Sequence, residues 1–238
     1  MRAIVRVVLN SALSLGVASA AMAQTPVAPA AATSASQPEV SFHFDRTGLP
    51  VPRFTLQIHE NGTGTYQADQ AETAATQTAM RGQAAQHIDR PIDLTQSNVA
   101  KIFKAARSLN YFNTECASKA KNIADTGTKT LTYAGSDGSG SCVYNYTENK
   151  TVSMLTDMLL AIATTLDEGR KLEFLHRYDR LGLDAEMNFF ADQVKDGHAL
   201  ELETISPTLS AIADDTAVIQ RVRVKAAKML EMVATESH

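Results

Sequence analysis

The sequence predicts an α+β protein: an antiparallel sheet of roughly four to six strands with helices packed on one face, followed by an α-helical C-terminal extension. Three observations predict it. Apolar and polar residues alternate between residues 40 and 66, the stretch 127–166 repeats that alternation and continues as an amphipathic helical pattern, and only helical patterns follow. Because a helix that directly follows a hairpin can fold back over the sheet, we take 127–166 as the centre of the fold.

The first residues have the pattern of an export signal. Arg2 and Arg6 give a basic start, an apolar run follows, and residues 21–23 supply a small-residue cleavage pattern. We therefore predict a cleaved signal peptide over residues 1–23 and a periplasmic or secreted protein. The apolar run is too short to span a bilayer, and no later run of about 20 apolar residues follows, so no stable membrane insertion is expected after cleavage.

The rest of the chain divides into three segments by composition and pattern. Residues 24–38 are rich in alanine, proline, serine and threonine without periodicity, which predicts a disordered linker. We place an α+β domain over residues 39–167 and a helical extension packed on it over residues 168–238. Loss of the signal peptide would change the formal net charge from −4 to −6, because it removes two arginines and no acids. A mildly acidic chain offers no basic footprint, so no nucleic-acid partner is expected.

The first strands follow from alternation and turn chemistry. Residues 40–44 and 54–58 alternate apolar and polar side chains, as half-buried strands do. Asn61 and Gly62 both tolerate a positive φ, so they predict a tight turn into a returning strand over residues 63–66.

The next stretch is less regular. Residues 68–86 have few apolar side chains and predict a long exposed excursion that is partly helical. Residues 88–94 predict a short strand that Pro91 confines to an edge of the sheet. Thr95 or Ser97 is expected to cap the helix that follows, whose apolar stripe runs from Val99 to Leu109.

The central unit is expected to be a hairpin followed by a helix. Residues 128–133 and 142–147 have strand alternation, and residues 134–141 between them predict a loop longer than two residues. Thr151 is the expected N-cap of the helix. The apolar stripe of that helix consists of Val152, Leu155, Leu159, Ile162 and Leu166.

Helical patterns fill the C-terminal part. The helix is expected to continue over residues 169–181 and to end at Gly182, with Asp184 as the cap of the next helix. Ser206 and Pro207 predict the start of a final helix pair, because proline suits the first helical position.

Two resemblances to known families can be stated. The segment 209–230, LSAIADDTAVIQRVRVKAAKML, resembles a single HEAT-type helical pair in its acidic turn, in residues 222–223, and in Ala226 and Leu230. This resemblance implies a packing or interaction surface and no chemistry, and no second copy follows. Residues 40–167 resemble small exported α+β domains of unknown function, which implies an architecture and no active site.

The two cysteines predict a covalent link. In an oxidising compartment an even pair is typical of a disulfide, so Cys116 and Cys142 are the candidates. Two buried thiols are the alternative.

A histidine pair is the one candidate for a metal site. His43 and His59 fall on the polar faces of the first two strands, with Asp45 and Glu60 nearby in the sequence. If the strands pair, the two imidazoles could hold a zinc or nickel ion. Exposed histidines on a solvated face are the commoner arrangement, so we expect neither a metal nor a cofactor.

Sequence motifs for catalysis are absent. The chain contains no G-x-S-x-G, no P-loop and no H-E-x-x-H. The densest polar set, residues 176–180, is expected to be a solvated helix face. The leading hypothesis is therefore a non-catalytic periplasmic binding or envelope-associated module with an unknown protein or small-molecule partner. The alternative is a hydrolase whose site combines scattered His, Asp and Arg side chains.

Overall fold

The structure is a computed structural model that describes residues 37–72 and 84–236. In this part, six strands form one antiparallel sheet in the order β4-β3-β2-β1-β5-β6. The strands are β1 Glu39–Asp45, β2 Arg53–His59, β3 Thr63–Gln70, β4 Gln86–Asp93, β5 Thr128–Gly135 and β6 Gly138–Tyr144. The predicted signal peptide, most of the predicted linker, and most of the predicted excursion between β3 and β4 lie outside the described residues. The α+β class and the edge position of the Pro91 strand are confirmed.

Five helices and two 3-10 turns complete the described part. The helices are α1 Gln96–Ser108, α2 Lys150–Tyr178, α3 Arg180–Lys195, α4 Ser206–Asp214 and α5 Gln220–Glu236. The 3-10 turns are Asn110–Phe112 and Leu202–Ile205. None of the described helices is long and apolar enough to cross a bilayer.

The first core lies between one face of the sheet and the helices α1 and α2. Every second residue of β1 is buried, and these side chains meet the apolar stripes of both helices. Val40, Phe42, Leu56, Ile102 and Ile162 are fully buried there. Burial of each such side chain contributes about 1.5–3 kcal/mol to folding. This contribution explains why apolar side chains alternate with polar ones along the strands, with the apolar ones on the face that the helices cover.

The second core is formed by the C-terminal helices. It contains the end of α2, from Leu172 onward, together with apolar side chains of α3, α4 and α5. The division between the cores therefore falls inside α2, after Leu166. A Cβ atom on Gly169 would lie 2.2 Å from Ile205 Cγ2, so glycine is required where the 3-10 turn packs on α2.

A buried carboxylate ties the C-terminal helices to the sheet domain. Glu201 is 3% exposed, and its carboxylate accepts hydrogen bonds from the Thr95 N–H at 2.9 Å, the Thr95 hydroxyl at 2.7 Å and Asn98 Nδ2 at 2.7 Å. Thr95 occupies the cap position of α1 but makes no capping bond with its own side chain. Glu201 supplies the acceptor at this helix start from a distant part of the chain.

The predicted disulfide is confirmed. Cys116 and Cys142 are bonded, with Cα atoms 5.8 Å apart, and no described cysteine is free. The bond attaches the segment after α1 to β6.

The β5–β6 hairpin differs from its prediction. Gly135 pairs with Gly138, so the turn has two residues and the expectation of a loop over 134–141 is wrong. Gly138 and Gly140 belong to β6 rather than to a loop. Glycine is required at both positions because Tyr111 packs against that strand and leaves no room for a side chain. A Cβ atom on Gly140 would lie 2.4 Å from the Tyr111 carbonyl oxygen.

Three helix starts also differ. Asn149, not Thr151, caps α2, and its side chain accepts from the N–H groups of Thr151 and Val152. The break after α2 occurs at Asp179 rather than Gly182, because the Asp179 side chain accepts from the Gly182 N–H and starts α3. Ser206 is already helical, since the preceding 3-10 turn leads directly into α4.

Candidate binding groove

A groove of about 450 Å³ lies between the edge strand β4 and the C-terminal part of α2. Residues 84 and 86–90 line one side, and Arg170, Glu173, Phe174, Arg177 and Tyr178 line the other. We call it the β4–α2 groove. Side chains of successive strand residues point to opposite faces, so a lining of consecutive residues shows that the groove runs along the outer edge of β4. Its volume is in the range of ligand sites.

Three arginines and two acids, Asp89 and Glu173, line the groove, so its lining carries a formal charge of +1 in an acidic chain. Arg90 Nη2 lies 3.0 Å from Glu173 Oε2, and both side chains are about half exposed. Exposed ion pairs of this kind contribute about 0–1 kcal/mol, so a ligand carboxylate can replace Glu173 at little cost. Arg177 forms no ion pair with any residue that the structure describes, and its guanidinium lies 5.5 Å from the Tyr178 ring centroid.

Two aromatic rings give the same wall an apolar surface. The Phe174 and Tyr178 ring centroids are 5.2 Å apart, and Tyr178 is 50% exposed. An exposed arginine beside an exposed tyrosine ring is a common composition of recognition surfaces.

A polar network beneath the groove fixes Arg170. Arg170 donates to Gln70, and its Nη2 lies 3.8 Å from Asp167 Oδ1. The Tyr66 hydroxyl donates to the same Asp167 oxygen at 2.8 Å. Burial raises the pKa of Asp167 to about 6, against the opposing effects of Tyr66 and Arg170. Because these contacts restrain Arg170, its charge is preorganised at the base of the groove.

A second buried cluster lies outside the groove, where α2 packs on α3. The side chains of Glu168 and Glu186 are 14% and 12% exposed. Lys171 Nζ lies 2.6 Å from Glu186 Oε2 and 3.9 Å from Glu168 Oε2. Burial, followed by the hydrogen bond and charge of Glu186, raises the pKa of Glu168 to about 8. This shift favours the protonated form of Glu168, and neither carboxyl group lines the groove.

The two candidate histidines are not brought together. His43 is opposite Thr55 and lies within 2.9 Å of its hydroxyl, whereas His59 is opposite Glu39, with 3.8 Å between the Nδ1 and Oε2 atoms. Positions 39 and 43 are four residues apart on β1, so the histidines are separated by roughly 13 Å along the strand. Among the described residues, no group of three His, Cys, Asp or Glu side chains could hold a metal ion.

The polar set at residues 176–180 divides among different contacts. Arg177 and Tyr178 line the groove. His176 Nε2, at the end of α2, and Arg180 Nη2, at the start of α3, lie 2.9 Å and 3.0 Å from Asp215 Oδ2, in the turn before α5.

Of the residues that line the groove, the sequence analysis indicates only Arg177 and Tyr178, as part of the polar set at residues 176–180. Arg170, Phe174, Arg177 and Tyr178 have the spacing of one helical stripe, and this stripe was the available signal. Arg90 carried no such signal, because its relation to α2 depends on the tertiary fold.

Comparison with known proteins finds no protein family that matches the chain and no curated protein that is similar to it. The functional argument therefore depends on the geometry of the groove.

Proposed function

We propose that the protein is an exported, non-catalytic binding module that holds an anionic ligand in the β4–α2 groove. The observation that carries the proposal is Arg177, which lines the groove together with Arg90, has no ion pair among the described residues and lies next to the Tyr178 ring. A charge-assisted hydrogen bond to a carboxylate or phosphate would satisfy that guanidinium.

Two features support export. The N-terminal residues have the composition of a cleavable signal, and the Cys116–Cys142 disulfide is stable in an oxidising compartment such as the periplasm. Envelope association stays within this proposal, with an unknown protein or small molecule as the physiological ligand.

The hydrolase alternative has less support. His87 Nδ1 lies 2.8 Å from Asp69 Oδ1, which is a base–carboxylate arrangement. The groove's described lining, however, holds no serine, threonine or cysteine that this histidine could activate.

The test is a titration of the ¹⁵N-labelled protein with citrate, in which NMR records the chemical shifts of the backbone amides and of the arginine Nε groups. Saturable shifts are expected at Arg90 and Arg177, and the R177Q variant should bind several-fold more weakly. The matched control is R221Q, which removes the same charge from an arginine paired with Asp184 outside the groove. Equal citrate affinity in R177Q and the unchanged protein would refute the proposal.

A further inference from the structure

The outer edge of β4 has no pairing strand among residues 37–72 and 84–236. Pro91 lies opposite Thr65 of β3 and has no N–H group, so this position is a non-hydrogen-bonded pair of the antiparallel ladder. Because such pairs alternate, the N–H and C=O groups of His87 and Asp89 also point away from β3. In the described part of the chain no strand pairs with β4 on that side.

The other edge of the sheet is protected. The 3-10 turn Asn110–Phe112 packs on β6, and the disulfide holds the following segment there. Protected edges are the usual arrangement in native sheets, so an edge beside a groove that no described strand covers is an exception that points to a partner.

The dimensions of the groove suit an extended chain. Residues 86–90 span roughly 14 Å of strand, and the facing stretch of α2 from Arg170 to Tyr178 spans roughly 12 Å. An added strand of about five residues would lie between them. Its alternate side chains would face α2, where Arg177 favours an acidic residue and the Phe174 and Tyr178 rings favour an apolar one.

We propose that the β4–α2 groove binds an extended acidic peptide segment of a partner protein as an additional strand on β4, with glutamate or aspartate side chains directed at Arg90 and Arg177. This inference rests on the proposed anionic ligand and specifies its class. The main-chain bonds provide affinity and the facing side chains provide specificity, as in other cases of strand addition.

The test uses a fluorescent heptapeptide with capped ends and the sequence Thr-Glu-Thr-Leu-Thr-Glu-Thr. The two glutamates and the leucine would face α2, and the threonines would face away from it. Two derivatives are N-methylated, one at the threonines and one at the other three positions. An antiparallel strand would hydrogen-bond to His87 and Asp89 through its threonine N–H groups, and a parallel strand through the others. One derivative should therefore lose at least tenfold in affinity while the other keeps it. An equal effect of both methylation patterns, or no effect of either, would overturn the inference.

A protein variant tests the same main-chain hydrogen bonds by changing β4 instead of the peptide. D89P removes an outward N–H that the ladder with β3 does not use, and D89N removes the same charge but keeps that N–H. D89P should bind the heptapeptide at least tenfold more weakly than D89N, with an unchanged thermal unfolding midpoint. Equal affinities of the two variants would contradict strand addition.

The outcomes separate this inference from the proposed function. Citrate binding at Arg177 without peptide binding would leave an anion site and refute strand addition. Binding of neither probe would refute both. A dimer in sedimentation that D89P dissociates would show that a second copy of the chain occupies the edge, which also overturns the inference.

Discussion

The buried carboxyl group of Glu168, between α2 and α3, predicts a stability that depends on pH. Glu168 and Glu186 are largely buried, and the Lys171 ammonium lies much closer to Glu186 than to Glu168. Lys171 therefore stabilises the charge of Glu186, and Glu168 keeps its proton. The perturbation is E168Q, which preserves the shape of the neutral acid and cannot ionise.

The direction of the pH dependence follows from the difference in the pKa of Glu168 between the folded and the unfolded protein. The unfolded chain loses this proton above its ordinary pKa of 4.5, whereas the folded protein holds it until its pKa of about 8. The pair's contribution to the free energy of unfolding therefore falls as the pH rises between these values and is constant above them. Since one pKa unit corresponds to about 1.4 kcal/mol, the loss is on the order of 3–5 kcal/mol. E168Q should differ from the unchanged protein by less than about 1 kcal/mol near pH 5 and exceed it by on the order of 3–5 kcal/mol at pH 8.5.

The assay is urea unfolding at pH 5, 6.5 and 8.5, monitored by circular dichroism with the disulfide intact. E203Q, which alters an exposed glutamate, is the matched control and should keep the original slope. Asp167, with its pKa of about 6, leaves a smaller decline between pH 4 and pH 6 in every variant. An E168Q protein with the unchanged protein's slope up to pH 8.5 would refute the assignment of this pH dependence to Glu168.

Three further predictions concern stability and are measured by urea unfolding at pH 6.5. Replacing Cys116 and Cys142 together by serine should cost about 3 kcal/mol, because the bond closes a loop of 26 residues; an unchanged midpoint would contradict this. E201A should cost about 3 kcal/mol by leaving three donors without their acceptor, and E201Q should cost less; equal costs would show that packing alone is lost. G169A should cost about 1–3 kcal/mol through its clash with Ile205, and I205A should offset part of that cost in the double variant; strictly additive costs would exclude the clash.

The sheet could be predicted from the sequence because burial of one face imposes a period of two. Residues 40–44 and 54–58 follow this period without interruption, and the Asn61-Gly62 turn determines how they continue. Helix ends were less predictable. Asn149 and Thr151 are both good caps, and the apolar pattern gives no preference between them.

The groove could not be predicted in the same way. Arg90 and Arg177 are distant in the sequence, and their proximity to one cavity depends on how α2 crosses the edge of the sheet. The same limit applies to Glu168, because a charged residue in a helix is ordinarily expected to be solvated. Its burial follows from the packing of α2 against α3, the helix that carries Glu186.

The division of α2 between two cores has a consequence for any ligand of the groove. One wall is anchored by Ile88 and Ile92 in the sheet core, and the other by Leu172 and Leu175 in the helical core. A bound ligand would contact both walls, and loosening of either core would separate these walls. The ligand would therefore stabilise both cores. Amide hydrogen exchange should therefore slow in the sheet core and in the helical core when the groove is filled, including at amides that the ligand does not contact.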